Sequence, residues 1–373
     1  MNVRRFQPNV PDEELSDLAA RLTRTRWPDE STHPSQGIGA DVLRPIVERW
    51  IHGYDWRRCE RELVERGSSL LTIDDVDIHF LHARSPRPDA RPLVLTHGWP
   101  GSVIEFLDVL PLLLEPDAGP AFHVVVPSLP GYGFSSAPRV PGWNVERIAD
   151  AWHTLMGALG YPRYLAQGGD WGAMISTALL DRHPDACRAA HLNLVLAKPP
   201  PEVVSAPTEE ERIALADAKN HARAGAGYAA IQSTRPQTIG YGLVDSPIAL
   251  AAWILDKFAA WTDGPDFGGV SVDRLLDNLT LWWVTRSAAS AARLYWESYA
   301  KPDLAPVEGP VGCTIFPGEI SRPSRRWAAS RFSNLVSYAH SEAGGHFAAL
   351  EQPARFAEQL RAFALAVDEV TDV

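Results

Sequence analysis

The stretch Gly168-Gly169-Asp170-Trp171-Gly172 sets a carboxylate between two glycines, Gly168 two positions before it and Gly172 two positions after. In front, Arg163-Tyr164-Leu165-Ala166 reads as the end of a buried strand. Behind, Ala173-Met174-Ile175-Ser176-Thr177-Ala178-Leu179-Leu180 reads as a buried helix. Strand, forced turn and helix are the geometry that projects a nucleophile from a strained apex whose neighbours can carry no bulk. A serine there would point to ester or amide hydrolysis. An aspartate acylates poorly, but it can displace at saturated carbon and be released afterwards by water. The positive end of the following helix favours its ionised form. Taken alone, the motif reads more readily as a surface turn with Asp170 as N-cap, so the rest of the chain decides.

An apex of this kind requires an acid after a late strand and then a histidine after the last one. Phe316-Pro317-Gly318-Glu319 supplies Glu319, and Gly344-Gly345-His346-Phe347 supplies His346, in that order. Singly, each reads as an ordinary loop residue. Together with Asp170 they form a nucleophile, acid and base in the required sequence. An oxyanion site would use the backbone N–H of Trp171, after the nucleophile, and that of Trp99, in the loop His97-Gly98-Trp99-Pro100. Pro100 suits a cis peptide that turns the Trp99 N–H inward. His97, Pro100 and Trp171 are candidates to touch substrate, His97 alternatively only bracing its loop.

The elements that must position these residues follow from hydrophobic patterning. An amphipathic helix carries Leu15, Leu18, Ala19 and Leu22 behind Pro11 and three acids. A second, capped by Asp41, buries Val42, Ile46, Val47, Trp50 and Ile51. A hairpin turns at Asp74-Asp75. Strands over 92–96, 123–126, 163–166 and 189–196 then alternate with helices over 103–114, 144–159 and 173–180. That alternation predicts an α/β fold with a mostly parallel sheet of about eight strands, covered by helices on both faces. From about 199 to 306 the chain is helical and rich in Ala and Trp, with helices predicted over 248–261 and 278–299, as an inserted cap. Strands return at 311–316 and 335–338, and a last helix carries Phe356, Leu360, Phe363 and Val367. The organisation expected is a meander over 1–66, a core over 67–198 and 307–373, and a cap over 199–306.

Composition narrows the partners. The formal net charge of −11 disfavours nucleic acid and anionic membrane surfaces. Three scattered cysteines, Cys59, Cys187 and Cys313, give neither a disulfide framework nor a metal-site spacing, which suits a reducing, cytoplasmic setting. Neither a signal peptide nor a membrane span is expected from the hydrophobic runs.

With these motifs in hand, the chain resembles the epoxide hydrolases of the α/β-hydrolase fold, in the branch similar to the microsomal enzyme with its N-terminal epoxide hydrolase region. Phe6-Gln7-Pro8, Trp27-Pro28, His97-Gly98-Trp99-Pro100-Gly101-Ser102, Gly168-Gly169-Asp170-Trp171-Gly172, Phe316-Pro317-Gly318-Glu319 and Gly344-Gly345-His346-Phe347-Ala348-Ala349 carry the resemblance across nearly the whole chain. Gly-Asp-Trp-Gly alone is shared with haloalkane dehalogenases. What separates the two is the leaving group: an alkoxide needs acidic O–H donors, a halide only N–H donors. The family places two tyrosines in its cap, and the matching positions are Tyr228 and Tyr295, with Tyr299 a rival for the second. The resemblance implies conversion of an epoxide and water to a vicinal diol through an Asp170 ester. It implies no cofactor or metal, and homodimerisation. The many cap tryptophans suggest a bulky or aromatic epoxide, and bacterial relatives include enzymes of secondary metabolism, enediyne pathways among them. A dehalogenase and a non-catalytic ligand-binding relative stand as the alternatives.

Overall fold

Consecutive apolar residues, rather than alternating ones, fill the central strands, as a sheet covered on both faces requires. Leu93, Val94 and Leu95 are all fully buried, and so are Val124, Val125 and Val126. The computed structural model describes residues 2–300 and 302–371; position 1 of the expected meander, position 301 of the expected cap and the last two residues of the expected core lie outside them. The strands are β1 (Arg4–Arg5), β2 (Ser68–Ile73), β3 (Val76–Ala83), β4 (Arg91–Thr96), β5 (Phe122–Pro127), β6 (Tyr164–Gly168), β7 (Cys187–Leu192), β8 (Val311–Ile315) and β9 (Leu335–His340). Their order is β1-β2-β3-β5-β4-β6-β7-β8-β9. Pairing is antiparallel from β1 to β5 and parallel from there on.

Among the described residues nine strands stand where about eight were expected. The addition is β1, two exposed arginines paired with Leu70 and Ser69, too short and too polar to announce itself. Its Arg4 reaches Asp77 at 2.8 Å. More consequential is the reversal of strand order at β4, which lies between β5 and β6. Open α/β sheets bind ligands outside the carboxyl ends of strands at such a point. Thr96 at the end of β4 pairs with Gly168 at the end of β6, so the two loops that follow emerge side by side.

Several helices depart from the sequence expectation. The helix Ala40–His52 has Gly39 at its N-cap, Asp41 lying within the first turn; its buried stripe is Leu43, Ile46, Val47 and Trp50, while Val42 faces solvent. Starting at Ala40 turns Val42 outward. The helix Trp56–Glu65, unanticipated among its many charges, is capped by Asp55 and buries Trp56, Cys59 and Leu63. The single helix expected over 103–114 is a 3₁₀ turn, Val103–Phe106, followed by Leu110–Leu114. The stretch expected to run unbroken over 278–299 divides into Val272–Val284 and Ala288–Ser298. Between them Arg286 takes a left-handed φ of 50°, and Thr285 turns its hydroxyl back on the Leu281 carbonyl. The terminal helix Pro353–Thr371 buries Phe356, Leu360, Phe363 and Val367. Among the described residues no single helix is long and apolar enough to cross a membrane; the apolar pair Pro236–Asp245 and Pro247–Trp261 bends through 115°. All three cysteines are free and buried.

One arginine fastens three parts of the chain together. Arg274 bonds Glu62 at 2.7 Å, Asp108 at 2.6 Å and Asp277 at 3.1 Å, joining the N-terminal helices, the 3₁₀ segment and the helix Val272–Val284. Asp277 is fully buried and also takes the Tyr54 hydroxyl at 2.7 Å. Removing that cation leaves Arg58, 2.5 Å from Asp277, as the remaining cation for the buried Asp277 and for Glu62, so their charge is only partly compensated. Arg274→Met, which keeps the stem, is therefore expected to cost about 3 kcal/mol of stability by urea unfolding.

Candidate active site

The apex at Asp170 is strained in the way the turn demands. Its φ of 51° and ψ of −127° lie where few residues other than glycine sit, and the helix Trp171–Arg182 starts at the next residue. Gly172 packs so closely beneath β4 that a Cβ would strike the Thr96 carbonyl, and one at Gly98 would strike the Asp170 side chain. Side chains at either place would push the carboxylate off its position.

Asp170 Oδ1 accepts the Trp99 N–H at 2.9 Å. On its other side, Oδ2 faces His346 Nε2 at 3.4 Å, and His346 Nδ1 meets Glu319 Oε1 at 2.7 Å. The Ile320 N–H also donates to that Glu319 oxygen, while Glu319 Oε2 has no partner. The loops that carry this pair are themselves joined, the Gly318 N–H donating to the Gly344 carbonyl at 3.0 Å. Burial acts to lower the basicity of His346, but the flanking carboxylates of Glu319 and Asp170 win and hold its pKa well above the ordinary histidine value. The structure thus brings Asp170, Glu319 and His346 within reach of one another. Among the described residues no three His, Cys, Asp or Glu side chains are grouped to hold a metal ion.

Of the two roles open to His97, the geometry is that of a brace. Its Nδ1 lies 3.0 Å from the Gly98 carbonyl, its Nε2 accepts the Leu129 N–H at 3.2 Å, and burial lowers its pKa to about 4. Both ring nitrogens of a neutral imidazole are thereby spent. The Trp99-Pro100 peptide is cis. The Pro100 carbonyl is bound from the lid by Asn278 Nδ2 at 2.9 Å and Trp282 Nε1 at 3.0 Å, and the Ser102 hydroxyl donates to Asn278. Sequence reasoning missed Asn278 and Trp282, whose only visible signal is four-residue spacing on one helix face. Trp171 opens its helix, so its N–H belongs to the first turn and has no intrahelical acceptor.

The lid supplies the opposite wall. Tyr228 is buried and stacks on Trp99, ring centroids 4.7 Å apart and planes within 9°. Tyr295 is buried too, edge-on to Trp171 at 4.8 Å and to Tyr228 at 5.8 Å. Burial chiefly, and then the Asp170 charge, raise the pKa of Tyr228; burial, Tyr228 and Asp170 raise that of Tyr295. Tyr299, the rival, is 41% exposed. Two groups went unrecognised in the sequence. Tyr132 is fully buried, its hydroxyl has no partner, and its pKa is raised by burial and by Asp170. Glu105, half-buried, is pushed up to about 8 by desolvation, His346 opposing and Asp170 and Glu319 adding to the effect.

The raised pKa of His346 fixes the sign of a pH effect. Stabilisation from the imidazolium between its carboxylates is fully present below about pH 6.5 and is lost as pH rises through the folded-state pKa. The melting temperature of the parent minus that of His346→Gln is therefore expected to be largest on the acid side and to shrink as pH rises. A gap that widens toward alkaline pH contradicts this electrostatic arrangement.

The geometry has counterparts in known proteins. The sequence model for the epoxide hydrolase N terminus matches residues 3–106, and that for the α/β-hydrolase fold matches 91–230. A Stigmatella aurantiaca protein whose provisional name is epoxide hydrolase is 47% identical, covering 95% of this chain and 83% of its own. Epoxide hydrolase 1 of Sus scrofa is 33% identical, covering 97% and 88%. The solved structure of Aspergillus niger epoxide hydrolase superposes with a TM-score of 0.90 at 36% identity, over 98% of this chain and 97% of that one. An apex carboxylate where most α/β hydrolases hold serine, under a lid that turns two phenols toward it, agrees with those likenesses: the chain belongs to the epoxide hydrolase family of the α/β-hydrolase fold.

Proposed function

We propose that Asp170 is the nucleophile of this epoxide hydrolase, Tyr228 and Tyr295 its acids, and His346, held by Glu319, the base of its second step. In the first step Asp170 Oδ2 bonds to an epoxide carbon as the ring C–O bond breaks. The electron pair moves to the ring oxygen, which takes a hydrogen bond and then a proton from the tyrosine pair. The resulting ester carries no charge at Asp170.

That loss of charge acts on both sides of the site. Asp170 is one of the groups that raise the pKa of His346, Tyr228 and Tyr295. Once it is esterified, the phenols give up a proton more readily and the imidazolium discharges toward the neutral form that can act as base. Neutral His346 then takes a proton from water as the water oxygen bonds to the ester carbonyl carbon. The oxyanion forms at Oδ1, already bonded to the Trp99 N–H, with the Trp171 N–H as second donor. Collapse breaks the acyl C–O bond, restores the Asp170 carboxylate and frees the diol, the imidazolium and solvent returning protons to the product and the tyrosine.

The observation that carries these roles is the tyrosine pair, buried, packed edge-to-face on each other at 5.8 Å against the indoles of Trp99 and Trp171, and exposed to the Asp170 charge. Phenols suit a nascent alkoxide and are unnecessary for a halide, which argues against dehalogenation. The aromatic walls of Trp99, Trp261 and Trp171 around them support a bulky or aromatic epoxide as substrate.

In a single turnover in H₂¹⁸O, label is expected in the Asp170 carboxylate before the diol, and label appearing first in the diol overturns the ester route. His346→Gln is expected to form the ester and stall, visible as a mass increase on the intact protein. Tyr228→Phe and Tyr295→Phe should each slow ester formation about 100-fold in pre-steady-state kinetics.

A further inference from the structure

The loop that carries His346 has all four of its backbone donors taken, and the acceptors share one neighbourhood. The Gly344 N–H donates to Asp263 Oδ2 at 2.9 Å, and the His346 N–H donates to the Trp261 carbonyl at 2.8 Å. The Gly345 and Phe347 N–H groups both donate to Glu351 Oε1 at 3.1 Å. The second oxygen of Glu351 accepts the Asp263 N–H at 2.7 Å. One buried carboxylate therefore grips the base loop with one oxygen and the corner of the lid, just past the helix Pro247–Trp261, with the other.

Packing reinforces the same joint. Phe258 in that lid helix stacks on Phe347 at 3.9 Å, and the Trp261 ring lies edge-on to the His346 imidazole at 5.0 Å. Immediately downstream, Asp266 and Phe267 both take left-handed backbone conformations, φ 51° and 55°, which cost free energy for residues with a Cβ. The strained turn brings Gly268 against the Glu351 carboxylate.

We propose that Glu351 is a positioning residue for the second half-reaction. It locks the His346 loop to the lid corner at residues 261–263, so that the imidazole stays aligned on the ester while the lid is closed over it. Glu351 touches neither substrate nor the reacting atoms. Its effect is transmitted through the backbone on either side of His346, and a misplacement of about 1 Å is enough to cost about 100-fold in a step that depends on alignment. The ester-forming step, which uses Asp170 and the tyrosines, does not draw on it. This inference rests on the role given above to His346.

Glu351→Gln is nearly isosteric, but its amide nitrogen must face an N–H at one end of the clamp, setting donor against donor. Burial lifts the Glu351 carboxyl to about 7, so the comparison is made at about pH 8.5, where it is ionised. Using styrene oxide as probe, stopped-flow and rapid-quench intact-mass measurements on the full chain separate ester formation from ester hydrolysis. Ester formation is expected to stay within about twofold of the parent while hydrolysis falls about tenfold or more, so that the alkyl-enzyme accumulates. A parallel fall in both steps, or unchanged hydrolysis, overturns the proposal, because a merely structural role would not shift the balance between them. His346→Gln run alongside separates the failures. If it does not accumulate ester, the assignment of the base has failed; if it does and Glu351→Gln does not, only the clamp has. Should Glu351→Gln not fold, Asp263→Asn, on the exposed side of the same joint, reads the same ratio, and an unchanged ratio there is equally fatal.

Discussion

The close approach of β4 and β6 at their carboxyl ends is the constraint from which the site follows. Thr96 pairs with Gly168, and just beyond the strands there is no room for side chains at Gly98, two residues past β4, or at Gly172, four residues past β6. Only there can a backbone N–H from one loop reach the carboxylate projected by its neighbour, as the Trp99 amide reaches Asp170. The strain at Asp170 is borne by the strand and helix on either side, both buried, which over-determine the turn between them. Everything else in the site is arranged around an oxygen pair whose position was already set by the sheet.

The charges around that oxygen pair are balanced in a way that chemistry can disturb. An imidazolium stands between two carboxylates, Glu319 and Asp170, with burial opposing its charge and both acids favouring it. Tyr228, Tyr295 and Tyr132 face the same Asp170 charge from other directions, and it suppresses their ionisation. The Asp170 charge thus favours protonated phenols, able to donate, and a protonated His346, not yet able to accept. A neutral ester removes that influence from every group at once, without movement of any of them.

Legibility in the sequence tracked how local each signal was. Asp170, Glu319 and His346 could be read because each sits in a short motif whose glycines and apolar flanks force a turn after a strand, and chain order linked the three. The phenols needed the family resemblance, since an aromatic residue in a helical lid looks like packing; the structure then separates buried Tyr295 from half-exposed Tyr299. Asn278, Trp282, Glu351 and Asp263 were not legible, because their partners lie far off in the chain: Pro100 is 178 residues from Asn278 and Asp263 is 88 from Glu351. Helix boundaries failed for a different reason. Neither Gly nor Pro marks the break at 285–287, where the Thr285 hydroxyl turns back on the Leu281 carbonyl, with the Ser287 hydroxyl beside it. At Ala40–His52 the cap is Gly39, two residues before the Asp41 expected, and Leu43, three and four residues ahead of Ile46 and Val47, takes the buried stripe in place of Val42.

The lid reaches the core through unlike fastenings, and their placement explains why the two phenols can be precise although they ride on an insertion. Asn278 and Trp282 hold the Pro100 carbonyl, fixing the lid to the loop that carries the Trp99 amide. Trp261, Asp263 and Glu351 fix it to the loop that carries His346. Arg274 anchors the helix Val272–Val284 to the N-terminal segment through Glu62, and the buried Glu211 ties the helix Glu209–Asn220 to Arg326 and Ser324 beyond β8. Tyr228 belongs with the first attachment, resting flat on the indole whose own amide grips Asp170, and Tyr295 packs edge-on to Tyr228 and Trp171. A displacement of the lid large enough to lift Tyr228 off that indole must also disturb the loop that holds the Asp170 carboxylate. The joint at Trp261, Asp263 and Glu351 serves the other side of that carboxylate, where His346 stands, so the tyrosines and the imidazole are held by separate attachments.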